Sequence, residues 1–286
     1  MSDFSWGALA GALPFTVLAV VVVVAVTFGF ALLLGQHSVV DTAWGIGFAV
    51  VAAVAFWLAA ARPGLVSAEL ATEHARLRPW LLLVLTAVWG IRLAVHIGIR
   101  ARGHGEDPRY EEMLDRAPGN RTVYALTRVY LTQGVAMWFI SLPVQIGMVE
   151  VPSVGWIGWL GVAVWAVGIF FETVGDWQLT RFRNDPGSRG KVLDTGLWHY
   201  TRHPNYFGDA CVWWGLSLLA FDAWPGIVTV LSPVAMTWLL AKGTGKPLLE
   251  KGMASRRPGY AEYVRRTSGF FPLPPRRRAT DPNAGG

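Results

Sequence analysis

Leu13-Pro-Phe-Thr-Val-Leu-Ala-Val-Val-Val-Val-Val-Ala-Val-Thr-Phe-Gly-Phe-Ala-Leu-Leu-Leu34 is the stretch that decides the fold class. No charge interrupts it, and at 1.5 Å of rise per residue it covers the roughly 30 Å hydrocarbon core of a bilayer, for which about 20 apolar residues suffice. The residues before it, Met1 to Pro14, lack the basic region and the small-residue cleavage site of a signal peptide, so this helix is expected to be retained as a true span. Working outward, six further stretches qualify or nearly do. They are Thr42 to Ala60, Trp80 to Ile99, Val123 to Val149, Val154 to Gly175, Tyr206 to Phe221 and Ile227 to Ala241. The last two are short, which suits tilted or partly buried helices.

The expectation is therefore an all-α, polytopic integral membrane protein with about seven transmembrane helices. Composition agrees: of 286 residues 53% are hydrophobic and only 15% charged, against roughly a quarter charged in soluble domains. Residues 1–275 are expected to form one membrane-embedded domain whose cofactor half begins near residue 172. From Pro272 onward Pro-Leu-Pro-Pro and Arg-Arg-Arg predict disorder, with 276–286 a basic tail that touches anionic headgroups.

The net charge of +6 would point to nucleic acid in a soluble chain, but here Lys and Arg crowd into loops between apolar runs. Six lie from Arg100 to Arg128, five from Arg181 to Arg202 and ten from Lys242 to Arg278, against Arg62, Arg76 and Arg78 on the other side, with Arg92 inside a span. The positive-inside rule then places the N-terminus outside and the C-terminus in the cytoplasm, in a plasma or inner membrane. Trp80, Trp156 and Trp159 suit the interfacial belts.

Several chemistries are excluded. The single Cys211 allows no intrachain disulfide and no cysteine-based zinc or iron-sulfur site. The six histidines form no helical pair with a nearby carboxylate, since Pro204 breaks the helix that would join His199 to His203, so no metal site is expected. Gly243-Thr-Gly-Lys246 is not a P-loop, because Leu240 and Pro247 stand at required Gly and Ser/Thr positions, and no Gly-x-Gly-x-x-Gly occurs.

The segment with most chemistry runs from Glu172 to Asp209. On one continuing helix Glu172, Asp176 and Arg183 share a face. Arg181, Arg183, Arg202 and Lys191 are suited to phosphates, the guanidinium groups bidentately. Asn205, Tyr206 and Asp209 open a helix at its positively polarised end. A basic interfacial loop with a capped helix is the plain alternative, yet so many polar groups at membrane depth are expensive unless used.

Thr201-Arg-His-Pro-Asn-Tyr-Phe-Gly-Asp209, followed by Trp213-Trp-Gly215, resembles the signature of the DUF1295 proteins, relatives of the steroid 5-alpha-reductases and sterol reductases. Asp41-Thr-Ala-Trp44, Trp89-Gly-Ile-Arg92, Glu106-Asp-Pro-Arg-Tyr110, Leu249-Glu250, Arg257-Pro-Gly-Tyr-Ala-Glu-Tyr263 and Phe271-Pro272 extend the resemblance over about residues 38–275. It implies a seven-helix enzyme that binds NADPH from the cytoplasmic side and reduces a carbon-carbon double bond conjugated to a ketone. The cofactor pattern of the steroid reductases maps onto Asp176, Arg183, Asn205, Tyr206 and Asp209, with Glu172 where Asn is usual and Asp209 where Glu is usual. Arg181, Tyr200, Arg202, His203 and Glu250 complete the expected cofactor-binding set.

The same resemblance implies a carboxyl and a phenol that polarise the substrate ketone, and such a donor is what the chemistry needs. The early spans hold no Glu, so the candidates are Asp41, Arg92, His96 and Tyr110. Each has a plainer reading: Asp41 as a helix cap at the outer interface, Arg92 as its structural ion-pair partner, His96 as a satisfied helix-end histidine. Arg-His-Pro with a later Glu also resembles membrane methyltransferases of the isoprenylcysteine and phospholipid type, which implies S-adenosylmethionine as the alternative cosubstrate. The substrate expected is a hydrophobic lipid, steroid or fatty-acyl molecule; a noncatalytic lipid-binding scaffold would need no such polar set.

Overall fold

The computed structural model describes residues 6–61, 77–149, 153–222, 224–243, 245–250, 253 and 257–276. Arg62, Arg76 and the tail residues 277–286 lie outside them. The chain is all-α: α1 (Trp6–Leu34), α2 (Val39–Ala61), α3 (Leu77–Ala101), α4 (Pro108–Asp115), α5 (Arg121–Ala125), a π-helical turn Leu126–Tyr130, α6 (Leu131–Ile140), α7 (Leu142–Gly147), α8 (Trp156–Asn184), α9 (Leu197–Tyr200), α10 (Pro204–Phe221), a 3-10 turn Gly226–Val230, α11 (Leu231–Ala241), α12 (Lys246–Glu250) and α13 (Tyr260–Arg266). Among the described residues no strand occurs; the one β-bridge joins Thr201 to Ser268.

Five of the seven expected spans are helices long and apolar enough to cross a membrane: Trp6–Leu34, Val39–Ala60, Leu77–Ala101, Arg121–Gly147 and Trp156–Asn184. The other two are shorter. Helix α10 has 18 residues, about 27 Å at 1.5 Å each, and Gly226–Ala241 is a 3-10 turn continued by α11. The fourth span is not one smooth helix either. It carries the π turn, and Pro143 at the start of α7 restarts it after Ser141.

Two compact units divide the chain: Met1–Val162 with Leu216–Ser232, and Ala163–Gly215 with Pro233–Gly286. In the first, α1 turns Val17, Leu18, Val21, Val22, Val26 and Phe30 outward, the surface a lipid-facing helix presents. The polar groups it buries bond internally, as a hydrocarbon environment demands. Thr27 donates to Val23 O at 2.7 Å and Thr16 to Gln145 Oε1 at 2.7 Å. Gln145 in turn donates to Ser141 Oγ at 2.8 Å, and Trp138 Nε1 to Thr16 Oγ1 at 3.2 Å. Helices α2 and α3 touch backbone to backbone where Gly45 faces Gly90, since a Cβ on either would strike the other's carbonyl. Phe48 and Trp89, both fully buried, meet edge to face at 5.5 Å beside this crossing.

At one end of this unit Arg78 pairs with Asp222 at 3.0 Å, both nearly sealed from solvent. At the other lies a cluster of Ala31, Val40, Leu114, Ala125, Val129 and Tyr130. In the second unit the close approach is α8 on α10. A Cβ at Gly168 would come within 2.6 Å of Gly208 O, and one at Gly208 within 2.7 Å of Glu172 N.

Candidate functional site

The first unit gathers one polar cluster around Asp41. Helix α1 stops at Gly35, whose φ of +66° suits glycine, and Gln36 N donates back to Ala31 O at 3.1 Å, the hydrogen bond of a Schellman stop. The turn to α2 is then held from a distant loop. Glu106 accepts from the backbone N–H of His37, from Ser38 N at 2.9 Å and from Asp107 N at 3.0 Å, so it caps α2 from outside. Burial opposes ionisation of Glu106, but these N–H groups and the Ser38 hydroxyl outweigh it and hold the carboxyl below its ordinary value.

The next residue starts α4. Asp107 accepts from Arg109 N at 2.9 Å as N-cap and Pro108 occupies the first turn. That helix carries Arg109 and Tyr110 to Asp41. Tyr110 donates to Asp41 Oδ1 at 2.6 Å, Arg109 Nη2 reaches Asp41 Oδ2 at 3.1 Å, and Gln133 Nε2 donates to the Tyr110 hydroxyl at 3.4 Å. Arg109 is also bound by Asp107. Burial, then the charge of Asp41, push the Tyr110 phenol far above its usual range, so it keeps its proton.

One expectation is corrected here. Asp41 is not a cap at the outer interface: it lies inside the first turn of α2, at the end of the unit that carries the Arg100–Arg121 loop. It forms an ion pair with Arg109. Arg92 and His96 are half-buried on α3.

The second unit holds the other set. Because α8 continues to Asn184, Glu172, Asp176 and Arg183 do share a face; the first two are buried and Arg183 is exposed. The glycine crossing brings α10 against them, and Asn205 Nδ2 donates to Asp176 Oδ1 at 3.2 Å. Asn205 Oδ1 accepts from Tyr206 N at 3.1 Å, and Asp209, one turn on, is buried. Helix α9 is fastened to α8: Trp198 Nε1 donates to Gly175 O at 3.1 Å and Leu197 N to Gln178 Oε1 at 3.0 Å.

Arg202, expected among the phosphate ligands, is instead buried and internally engaged. Its Nε is 2.9 Å from Glu250 Oε1, and Nη1 donates to Thr267 O at 2.6 Å and Val264 O at 3.2 Å. Glu250 also meets His203 Nε2 at 2.9 Å. Burial would raise the Glu250 carboxyl, but the bonds from His203 and Arg202 and the Arg202 charge bring it down to about 2. Burial lowers His203 despite Glu250, so a neutral imidazole donates from Nε2 to an ionised carboxylate. The ring stacks on Tyr206, 5.5 Å between centroids and 9° from parallel. Arg181 is exposed, over the Trp177 ring at 5.6 Å. Tyr200 is exposed, and its carbonyl accepts from Leu273 N at 3.0 Å. Residues 272–276, which composition assigns to a disordered tail, are thus tied down by backbone bonds.

The structure therefore joins Asp41 with Tyr110, Asp176 with Asn205, and Arg202 with His203 and Glu250. Sequence reasoning quoted Glu106 and Arg109 only within the Glu106–Tyr110 motif, without a role, and passed over Gln133, Gln178 and Trp198. Asp107-Pro108 was a legible helix start that would have placed Arg109 and Tyr110 together in its first turn; Gln133, Gln178 and Trp198 carry no local signal. A family model described as "Protein of unknown function (DUF1295)" matches residues 27–267, so the chain belongs to the DUF1295 family, as the 201–209 signature led us to expect. No curated protein and no solved structure matches it.

Proposed function

We propose that this member of the DUF1295 family is an NADPH-dependent membrane reductase of an activated carbon-carbon double bond in a lipid, steroid or fatty-acyl substrate. The observation that carries the reading is the Tyr110 hydroxyl 2.6 Å from Asp41 Oδ1. Reduction of an enone needs a proton donor and stabilisation of negative charge on the substrate oxygen, and a half-buried phenol that holds its proton beside a carboxyl offers both. Tyr110 turns its hydrogen from Asp41 to the carbonyl oxygen, while Arg109 keeps the freed carboxylate paired and Gln133 steadies the phenol.

The second unit suits the cofactor. Asp176 and Asn205 form a polar couple at the start of α10, and the exposed guanidinium groups of Arg181 and Arg183 are suited to phosphates. NADPH, when bound, would supply the hydride. The methyltransferase alternative draws on His203 and Glu250, and both are engaged with each other and with Arg202. Detergent-purified protein is expected to gain thermal stability with NADPH and none with S-adenosylmethionine, since a ligand at about 100 times its dissociation constant adds roughly 2.7 kcal/mol to the folded state. Stabilisation by the methyl donor alone would replace this reading with the methyltransferase.

A further inference from the structure

The segment after α13 folds back on its own unit. Arg202 N donates to Ser268 O at 2.9 Å, Leu273 N to Tyr200 O at 3.0 Å and Arg276 N to Arg266 O at 2.9 Å, and Thr201 Oγ1 donates to Phe270 O at 2.8 Å. A loose tail would give these groups to water; here they fix 268–276 as a strap with a defined surface. Phe270 is its buried side chain, whereas Phe271 is 62% and Leu273 55% exposed.

The depth of the strap follows from its aromatic contacts. Phe207, in the first turn of α10, meets Phe270 at 6.4 Å, Phe271 at 6.1 Å and Phe171 of α8 at 5.0 Å. Phe171 belongs to the last apolar turns of α8, just before Glu172 and Asp176 begin its polar end. The change from apolar to polar residues along α8 at this point marks the level of the boundary between acyl chains and headgroups. Exposed cations frame the strap, Arg265 at the end of α13 and Arg276 at its far end, with Arg277 and Arg278 next in sequence.

Exposed apolar side chains at the bilayer boundary, backed by cations, have the composition of an interfacial anchor, in which the apolar groups enter the acyl region and the charges take lipid phosphates. A second copy of the chain is a poorer occupant, because a two-fold contact through the strap would bring Arg265 and Arg276 onto their own equivalents. We infer that the 268–276 strap is a binding site for anionic phospholipid, with Phe271 and Leu273 against the acyl chains and Arg265 and Arg276 on the phosphate. The site is independent of what the Asp176–Asn205 half binds.

The test titrates short-chain phosphatidylglycerol into full-length protein in a neutral detergent and follows the unfolding midpoint, with phosphatidylcholine of the same chain length and inorganic phosphate as parallel probes. Phosphatidylglycerol is expected to raise the midpoint, and the other two probes are not. Each cation near an anionic surface contributes about fivefold in affinity, so Arg265→Gln with Arg276→Gln should weaken the phosphatidylglycerol response tenfold or more while the midpoint without lipid is unchanged. Phe271→Ser with Leu273→Ser should weaken it as well and leave the charges in place. An unaltered response in the double Arg variant would overturn the inference. So would an equal shift by inorganic phosphate.

Discussion

Tyr110 and Asp41 share a 2.6 Å hydrogen bond although they come from different helices, and Arg109 occupies the second Asp41 oxygen at 3.1 Å. Asp41→Asn is expected to leave NADPH binding intact and to lower turnover of an enone substrate by about tenfold or more. Tyr110→Phe should do the same, because each removes one half of the proton-donating couple, a contribution of roughly 10²–10⁴ for general acid catalysis. Thermal shift reads cofactor binding and cofactor oxidation reads turnover. Unchanged turnover in folded, NADPH-bound Asp41→Asn would remove Asp41 from the chemistry and turn attention to Arg92 and His96.

Arg183→Ala and Asn205→Ala should weaken NADPH binding. A charge-assisted contact to phosphate is worth about 1.5–3 kcal/mol, or roughly ten- to a hundredfold in dissociation constant. Asn205 has a further role, since it also holds Asp176 at 3.2 Å. For Arg183 the loss should be larger for NADPH than for NADH if it meets the 2′-phosphate; equal loss for both would place it elsewhere on the cofactor.

Glu250 gives a pH signature. Its folded carboxyl, at about 2, lies below the ordinary 4.5. The stabilisation it supplies is therefore complete above about pH 4.5 and lost as pH falls toward 2. Glu250→Gln is expected to destabilise the protein at neutral pH by about 2–3 kcal/mol, leaving the Arg202 guanidinium buried without its counter-charge. It should also flatten the acid limb of the stability curve between those limits. Unfolding midpoints of both proteins across that range check it, and parallel acid limbs would refute the assignment.

Gly208→Ala should destabilise by about 1–3 kcal/mol, as overpacking does. The added Cβ would lie 2.7 Å from Glu172 N, a backbone atom with no side-chain freedom to retreat. Gly29→Ala, where a Cβ meets open space, is the matched control and should be neutral or slightly stabilising.

Orientation is testable by reporters fused to either terminus. The concentration of Lys and Arg in the 100–128, 181–202 and 242–278 segments predicts an external N-terminus and a cytoplasmic C-terminus. Cytoplasmic signals from both ends would mean an even number of spans and would exclude seven.

Apolar length alone determined that this chain is helical and membrane-spanning, because a segment such as Leu13 to Leu34 has no other way to satisfy its backbone inside a bilayer. Local spacing also determined that Glu172, Asp176 and Arg183 share a helix face, since 3.6 residues per turn leaves no choice once α8 continues. Only the tertiary structure decided who meets whom. Asp41 meets Arg109 and Tyr110 because Glu106 and the Asp107 cap bring α4 onto the start of α2, and no periodicity encodes that approach. Arg202 reads in sequence as a phosphate ligand, yet Glu250 and the Thr267 and Val264 carbonyls claim its donors. The strap from Ser268 to Arg276 looks unstructured by composition because its order rests on backbone bonds to Tyr200, Arg202 and Arg266, which carry no side-chain signal. Helices at membrane depth are written in local hydropathy; the pairing of polar groups at their ends depends on contacts distant in sequence, and there desolvation makes every buried charge find a partner that sequence order does not name.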